Sequence, residues 1–244
     1  MHFFTEQDLT GAETVCLEQD NAHHLIHVLR AHAGEKVEIS DKCGRTYSCT
    51  LTDTAGGRAF LSVDSEIVRD RELPSRVTLY QGLPKGDKMA LIIQKAVELG
   101  VSRIVPVLMS RSIARPDKKS AARKAERWQK IAESAAKQCG RAVIPEVTPV
   151  TGYEEALREA SGEDRFILPY ECAEGMDRSR RIFSELAQAR GIAVMIGPEG
   201  GFDPAEVQKA GEAGAEIVTL GSRILRTETA GLTVLSWIVF QLDR

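Results

Sequence analysis

No stretch of this 244-residue chain is long and apolar enough to cross a bilayer. The most apolar run, residues 232–242, falls well short of the roughly 20 residues a spanning helix needs. The opening residues, MHFFTEQDLT, carry no basic region, no long apolar region and no small-residue cleavage site. The sequence therefore predicts no secretory signal and a cytoplasmic protein. Cysteine is scarce and unpatterned: Cys16, Cys43, Cys49, Cys139 and Cys172 form no CxxC pair and no regular spacing. They read as reduced thiols rather than a disulfide framework, and none sits in a nucleophile signature. Internal repeats and low-complexity segments are also missing. With 43% hydrophobic and 27% charged residues, the composition excludes disorder and collagen-like repeats and fits one large or two modest soluble domains.

A net charge of −3 hides an uneven distribution. Residues 1–72 hold 7 Lys/Arg against 13 Asp/Glu, and residues 142–217 hold 7 against 15. Between them, residues 85–141 hold 14 against 5. That basic stretch, which includes Lys85, Lys118, Lys119, Arg123, Lys124, Arg127, Lys137 and Arg141, has the footprint of a face that binds a polyanion such as RNA or DNA. A solvated helix surface is the plainer alternative.

Residues 1–72 alternate short apolar runs (36–39, 46–51, 59–63) with turn signals at 41–44 and at Gly56 and Gly57. This pattern predicts a small β-barrel or sandwich. One helix interrupts it at about 21–30, with Leu25, Val28 and Leu29 on one face. The charged segment 69–74 ends in Pro74 and reads as a linker. Beyond it the pattern changes to strands at 77–81, 103–108, 166–168, 192–196 and 217–220. These alternate with helices at 87–99, 121–139, 179–189 and 204–213. Alternating βα units predict a parallel sheet covered on both faces. Pro106 argues for an edge or a bulge in its strand. Trp128 shares a helical stripe with Ile131, Ala135 and Cys139, so it reads as a core anchor rather than a stacking platform. The final element, 229–242, is apolar on nearly every side and is expected to be buried all round, in a core or at a subunit interface.

Two loops carry the chemistry. In the first, Ile196 ends a strand, Gly197, Pro198, Glu199, Gly200, Gly201 and Phe202 form a glycine-rich loop, and a helix leaves. The helix start is well specified, with Asp203 as N-cap, Pro204 at the first position and Glu206 three residues after the cap. Such a loop lies at the carboxyl end of a parallel strand, where open α/β sheets bind ligands. It is neither GxGxxG nor GxxxxGK[ST]. Glu199 lies within it with no Lys or Arg beside it in sequence. A carboxylate there would repel a pyrophosphate but suits an amine, a ribose hydroxyl or a cationic centre. A tight turn needing positive φ is the structural alternative. The second loop runs from Leu220 and Gly221 through Ile224 and Leu225 to Arg226, Thr227, Glu228 and Thr229, at the mouth of the last helix. Two charges at such a boundary call for partners, and an Arg226–Glu228 pair is the simplest expectation.

These two loops together resemble the RsmE-type 16S rRNA methyltransferases of bacteria, of the SPOUT class of knotted enzymes. The resemblance extends to residues 24–30, 85–88, 94–100 and 128–141. It implies a PUA/OB-like RNA-binding β-barrel (1–72), and a SPOUT methyltransferase domain (73–244) whose α/β parallel sheet, with helices on both faces, ends in a C-terminal trefoil knot. It also implies a homodimer, a bent S-adenosylmethionine (SAM) cofactor and methylation of N3 of one uridine in 16S rRNA, within the 30S subunit; no metal is expected. Carried onto this sequence, it puts SAM against Leu168, Pro169, Gly197, Pro198, Glu199, Gly200, Gly201, Leu220, Gly221, Ile224, Leu225, Arg226, Thr229 and Ala230. Arg226 is then the group that stabilises the uracil anion, with Glu228 orienting it and solvent or Glu199 accepting the proton. RNA would meet His24, Arg30, Lys85, Arg111, Lys118, Lys119, Arg123, Lys124 and Arg141. Three readings compete with this one: a non-catalytic RNA-binding assembly factor, a SPOUT enzyme methylating a ribose 2′-hydroxyl or another RNA, and, more remotely, a nucleotide-dependent dehydrogenase that lacks its glycine fingerprint. The spacing of His23, His24 and His27 could bind a metal, but no third ligand in a recognised pattern accompanies it.

Overall fold

A computed structural model describes residues 1–69, 71–173 and 175–243; Asp70, inside the expected linker, lies outside them. The chain divides into two compact units, Met1–Glu72 with Ala136–Val143, and Leu73–Ala135 with Ile144–Arg244.

The first unit contains β1 (His2–Phe4), β2 (Thr14–Leu17), α1 (Gln19–His23), β3 (Lys36–Ser40), β4 (Thr46–Ala55) and β5 (Arg58–Ile67). Its sheet has the order β1-β3-β4-β5-β2, with β1 parallel to β3 and the other pairs antiparallel. Gly56 and Gly57 turn β4 into β5 at φ +58° and +75°, the left-handed pair a two-residue hairpin requires. Register shifts at Ser48/Cys49 and Leu51/Asp53 add local twist. Phe3, Leu17, Leu25, Ile39, Leu51 and Leu61 fill the core. No ladder joins β1 to β2 among the described residues, so the expected barrel is an open five-stranded sheet in hydrogen-bonding terms.

The helix expected at 21–30 is α1 followed by a wide π turn, His24–Val28, closed by Leu29 N–H donating to His24 O at 2.9 Å. The wider turn breaks the 3.6-residue spacing. Leu25 is therefore buried while Val28 and Leu29, expected beside it, are exposed.

The second unit contains β6 (Arg76–Gly82), α2 (Lys88–Glu98), β7 (Arg103–Leu108), α3 (Lys118–Cys139) except its last residues from Ala136 on, β8 (Glu146–Val147), β9 (Thr151–Gly152), α4 (Tyr153–Ala160), β10 (Arg165–Pro169), α5 (Met176–Ser184), β11 (Gly191–Ile196), α6 (Pro204–Glu212), β12 (Glu216–Val218) and α7 (Thr227–Leu242). The sheet order is β12-β10-β11-β6-β7-β8, with β9 also on β7, and every pairing is parallel. All six residues of β11 are buried, as suits a central strand covered on both faces. Tyr80, Ala193, Met195 and Leu168 pack with Tyr153, Ala156 and Leu157 of α4 and with Ala210 of α6. Elsewhere α7 packs on β11 and α2.

Pro106 is paired to Gln81 of β6 on one side. On the other side, β8 meets Arg103 and Ile104 while β9 meets Val107 and Leu108, so the proline occupies the break between two short partners. Trp128 is buried, as a core anchor should be. The helix expected at 179–189 is α5 plus a 3₁₀ turn at Leu186–Gln188.

The last helix departs from expectation. Thr227, Gly231, Val234, Leu235, Ile238 and Leu242 are buried, but Phe240 is 82% exposed, with Thr229 and Ser236 also outward. Thr233 and Ser236 donate their hydroxyls to the carbonyls of Thr229 and Leu232, so the outward stripe is less polar than its sequence reads.

Candidate functional site

Because β12, β10 and β11 are parallel neighbours, the loops that follow them emerge at one end of the sheet. They enclose a cavity of about 390 Å³. Twelve of the residues expected there line it: Pro169, Gly197, Pro198, Glu199, Gly200, Gly201, Leu220, Gly221, Ile224, Leu225, Arg226 and Ala230. Leu168 does not, since its fully buried side chain belongs to the sheet core. Thr229 lies on the exposed side of α7, outside the lining. Lys88, Tyr170, Glu171, Thr219 and Arg223 join the wall without having been expected to hold the cofactor, as does Thr227 of the second loop.

The first loop is held by short-range chemistry readable in its sequence. Asp203 caps α6 and forms a capping box with Glu206, with Pro204 in the first turn. Glu206 is buried, accepts the Ser110 N–H at 2.9 Å, and its carbonyl receives the Tyr153 hydroxyl at 2.5 Å. Gly201 has φ +67°, and a Cβ there would meet Glu171 Oε1 at 2.9 Å. At Gly82 a Cβ would fall 2.6 Å from Pro198 N, so β6 and the loop approach more closely than any side chain allows.

Beneath the cavity runs a buried hydrogen-bond chain. Gln81 Nε2 donates to Thr227 Oγ1 at 2.9 Å, and Thr227 Oγ1 donates to Gly197 O at 2.6 Å. It joins β6, the start of α7 and the glycine loop. Gln81 had a visible signal, the one amide in the strand, beside Leu79 and Tyr80.

The electrostatics correct two expectations. Glu199 does have a basic partner: Lys88 Nζ lies 3.0 Å from its Oε1, and Lys85 N–H donates to both oxygens at 3.0 and 3.2 Å. Partial burial would raise the Glu199 carboxyl, but the Lys88 hydrogen bond and the backbone N–H groups outweigh it and hold the group below its ordinary value. The Lys88 ammonium is raised, chiefly by that same hydrogen bond. Glu228 pairs with Lys88 as well, at 3.5 Å, rather than with Arg226. Arg226, exposed at the N-cap of α7, has no ion-pair partner among the described residues.

Of the residues expected to meet RNA, Lys118, Lys119 and Arg123 are exposed and Lys124 is half-buried, all in the first turns of α3 and without ion-pair partners among the described residues. Lys85 has an exposed side chain, and its backbone serves Glu199. Arg111 is exposed and braces the glycine loop, donating to Gly200 O at 3.1 Å. His24 and Arg30 are exposed in the first unit, Arg30 with a left-handed φ of +54°. Arg141 is a correction. It is 4% exposed, and its guanidinium lies 2.5 Å from the Glu72 carboxylate, so it is spent on a structural ion pair. The His23 and His27 ring centroids lie 4.9 Å apart with the rings tilted by 45°. Asp8, Asp41 and Cys43 lie together, but the Arg45 guanidinium already satisfies both carboxylates at 2.9 and 3.1 Å.

Residues 71–239 match the family model of an RNA methyltransferase domain, and residues 17–64 match that of an RNA methyltransferase PUA domain. Sheet, cleft and the smaller N-terminal module together define an RNA methyltransferase of two parts. Ribosomal RNA small subunit methyltransferase E of Bacillus subtilis is 35% identical over 242 residues, spanning 98% of this chain and 94% of that one. The Mycobacterium tuberculosis protein of that name is 31% identical, over 93% and 86% of the two chains. The crystal structure of the Neisseria gonorrhoeae protein of that name, bound to S-adenosyl methionine, has a TM-score of 0.86 at 36% identity and covers 99% of this chain and 97% of that one. This chain belongs to the ribosomal RNA small subunit methyltransferase E family.

Proposed function

We propose that this protein transfers the methyl group of SAM to N3 of one uridine in 16S rRNA of the small ribosomal subunit. The observation that carries the reading is the glycine-walled cavity built by the loops of two consecutive βα units, with an arginine on its wall, Arg226, that has no ion-pair partner among the described residues. The residues fit the cofactor. A volume of about 390 Å³ lies within the range of roughly 300–1,000 Å³ of small-molecule sites. The wall mixes apolar Leu220, Ile224 and Leu225 with the carboxylates Glu171 and Glu199 and the cations Lys88, Arg223 and Arg226, and its glycine loop has neither phosphate-binding spacing, which suits a ligand with apolar and polar parts and no phosphate. When bound there, SAM supplies an electrophilic methyl group on a sulfonium.

The chain's own residues do the rest. Backbone groups of the two loops, from Gly197 to Gly201 and from Leu220 to Leu225, hold the cofactor, with Pro169 and Ala230 closing the wall. The N3–H bond breaks with its proton leaving to solvent, and the N3–CH₃ bond would form as the S–CH₃ bond breaks and its electron pair stays on sulfur, leaving a neutral thioether. Glu199 is a weak base for it, because Lys88 and the Lys85 N–H already occupy its oxygens. Arg226 meets the negative charge that develops on the uracil oxygens, as an oxyanion hole would. N3 lies on the Watson–Crick edge, so the uridine must be unpaired or flipped out to react. Lys118, Lys119, Arg123 and Lys124 hold phosphates on one unit, while His24 and Arg30 face RNA on the other.

The same reading includes a cytoplasmic homodimer in which the outward stripe of α7, with Phe240, is covered. It also includes a knotted path for the last part of the chain, an exception among folds. Supporting this, the chain leaves the outermost strand β12 and returns as α7 against β11 and α2. Deleting the gene for this chain should remove 3-methyluridine from digests of 16S rRNA, and a plasmid copy should restore it. Persistence of the nucleoside in the deletion strain would contradict the reading.

A further inference from the structure

Five charged residues line the cavity, Lys88, Glu171, Glu199, Arg223 and Arg226, and Glu228, outside the lining, pairs with Lys88. Lys88 Nζ stands between two carboxylates, 3.0 Å from Glu199 Oε1 and 3.5 Å from Glu228 Oε2. Arg226, two residues before Glu228 and on the same wall, is paired to neither. The two carboxylates are not equally needy. Glu199 also accepts the Lys85 N–H on both oxygens. Glu228 Oε2 is buried and accepts no hydrogen bond, so the Lys88 charge is what offsets it.

We propose that Lys88 is a positioning residue that keeps Arg226 free for the substrate by holding Glu228, the carboxylate that would otherwise capture it. A buried carboxylate stripped of its cation is strongly unfavourable and recruits a replacement within reach. Arg226 is the nearest candidate in sequence, and a guanidinium binds a carboxylate in a bidentate grip that a uracil oxygen cannot displace easily. The interaction that disables the site is therefore an alternative ion pair, and Lys88 prevents it. This inference rests on the reading of Arg226 as the group that meets the uracil anion.

The test compares the wild type, Lys88→Met, Glu228→Gln and the double variant. Single-turnover methyl transfer to 30S subunits and SAM affinity by calorimetry are measured for each. Lys88→Met should slow transfer by about tenfold or more at saturating SAM; because Lys88 also holds Glu199 on the cavity wall, SAM affinity is read separately and only the loss that saturation does not restore is assigned to Arg226. Adding Glu228→Gln should recover most of that rate, because the trap is gone, and the non-additivity measures the coupling. A merely structural lysine would not be rescued by neutralising its partner. The Nε–H NMR signal of Arg226 needs no turnover: capture by Glu228 should slow its exchange with water in Lys88→Met and not in the double variant. A wild type that shows this capture pattern in its variants but methylates no uridine would sink the functional reading and leave the role of Lys88 standing. An active wild type, with Lys88→Met at full rate or unrescued by Glu228→Gln, would overturn the inference.

Discussion

Replacing Thr227 by Val removes one oxygen from the centre of the site and leaves its shape intact. In the native chain that hydroxyl donates to Gly197 O at 2.6 Å and accepts from Gln81 Nε2 at 2.9 Å. Gln81 Nε2 keeps its second acceptor, Gly82 O at 3.0 Å, but one of its protons and the Gly197 carbonyl lose their partners. Both groups are buried, so water cannot replace the lost bonds without opening the loop. Each orphaned group costs about 1–3 kcal/mol, which gives about 2–6 kcal/mol for the pair. That is a large share of the roughly 5–15 kcal/mol that stabilises a typical domain. At about 2–4 °C per kcal/mol, the unfolding midpoint should fall by about 4–24 °C. Because Gly197 lines the cavity, SAM affinity should fall too, by about tenfold for each 1.4 kcal/mol that reaches the loop. Thr227→Ser keeps the hydroxyl and loses only a methyl, at a cost of about 1 kcal/mol. Differential scanning calorimetry with and without SAM reads both effects. A Thr227→Val protein within about 0.5 kcal/mol of the wild type, or indistinguishable from Thr227→Ser, would refute the argument from the buried chain.

Arg226→Ala should bind SAM with nearly the native affinity and lose turnover by about 10²–10³-fold, the usual consequence of removing one anion-stabilising donor; wild-type turnover in that variant would remove Arg226 from the mechanism. Neutralising Lys118, Lys119, Arg123 and Lys124 should weaken RNA binding and reduce the slope of log affinity against log salt by about 3, and an unchanged slope would return these residues to an ordinary solvated helix face. Cys43 and Cys172 are exposed, whereas burial, helped by nearby Asp64, pushes the Cys49 thiol up to about 12. Brief alkylation at pH 8 followed by mass spectrometry should therefore label the first two and spare Cys49 until the chain unfolds; equal labelling of all three would contradict the burial of Cys49.

What the sequence made legible was local. Asp203, Pro204 and Glu206 announce the start of α6, and the unbroken apolar run of β11 announces a central parallel strand. The two loops could be picked out because each follows a strand and precedes a helix. What stayed hidden depends on contacts between distant positions. Lys85 meets Glu199 across 114 positions and Gln81 meets Thr227 across 146, and both contacts exist because β6 lies beside β11 in the sheet. Without that adjacency, Glu199 looked partnerless and Glu228 looked like the mate of Arg226. Charge counting has the same blind spot, since Arg141 adds to a basic run and is yet consumed by Glu72. Apolar periodicity failed in two ways. At 24–28 the turn is wider than 3.6 residues, which exposes Val28 and Leu29. In α7 the composition says that a helix is apolar, while only the neighbours decide which stripe is covered.

The reaction itself is tested most directly by incubating the purified protein with SAM carrying a labelled methyl group and 30S subunits from a strain lacking the modification, then resolving the nucleosides. Methyl transfer to uridine N3 requires the label to appear as 3-methyluridine in 16S rRNA. Label on a ribose 2′-hydroxyl or in another base would leave a methyltransferase and contradict the proposed target. No label on either 30S subunits or naked 16S rRNA, with RNA binding intact, would contradict catalysis and leave an RNA-binding assembly factor.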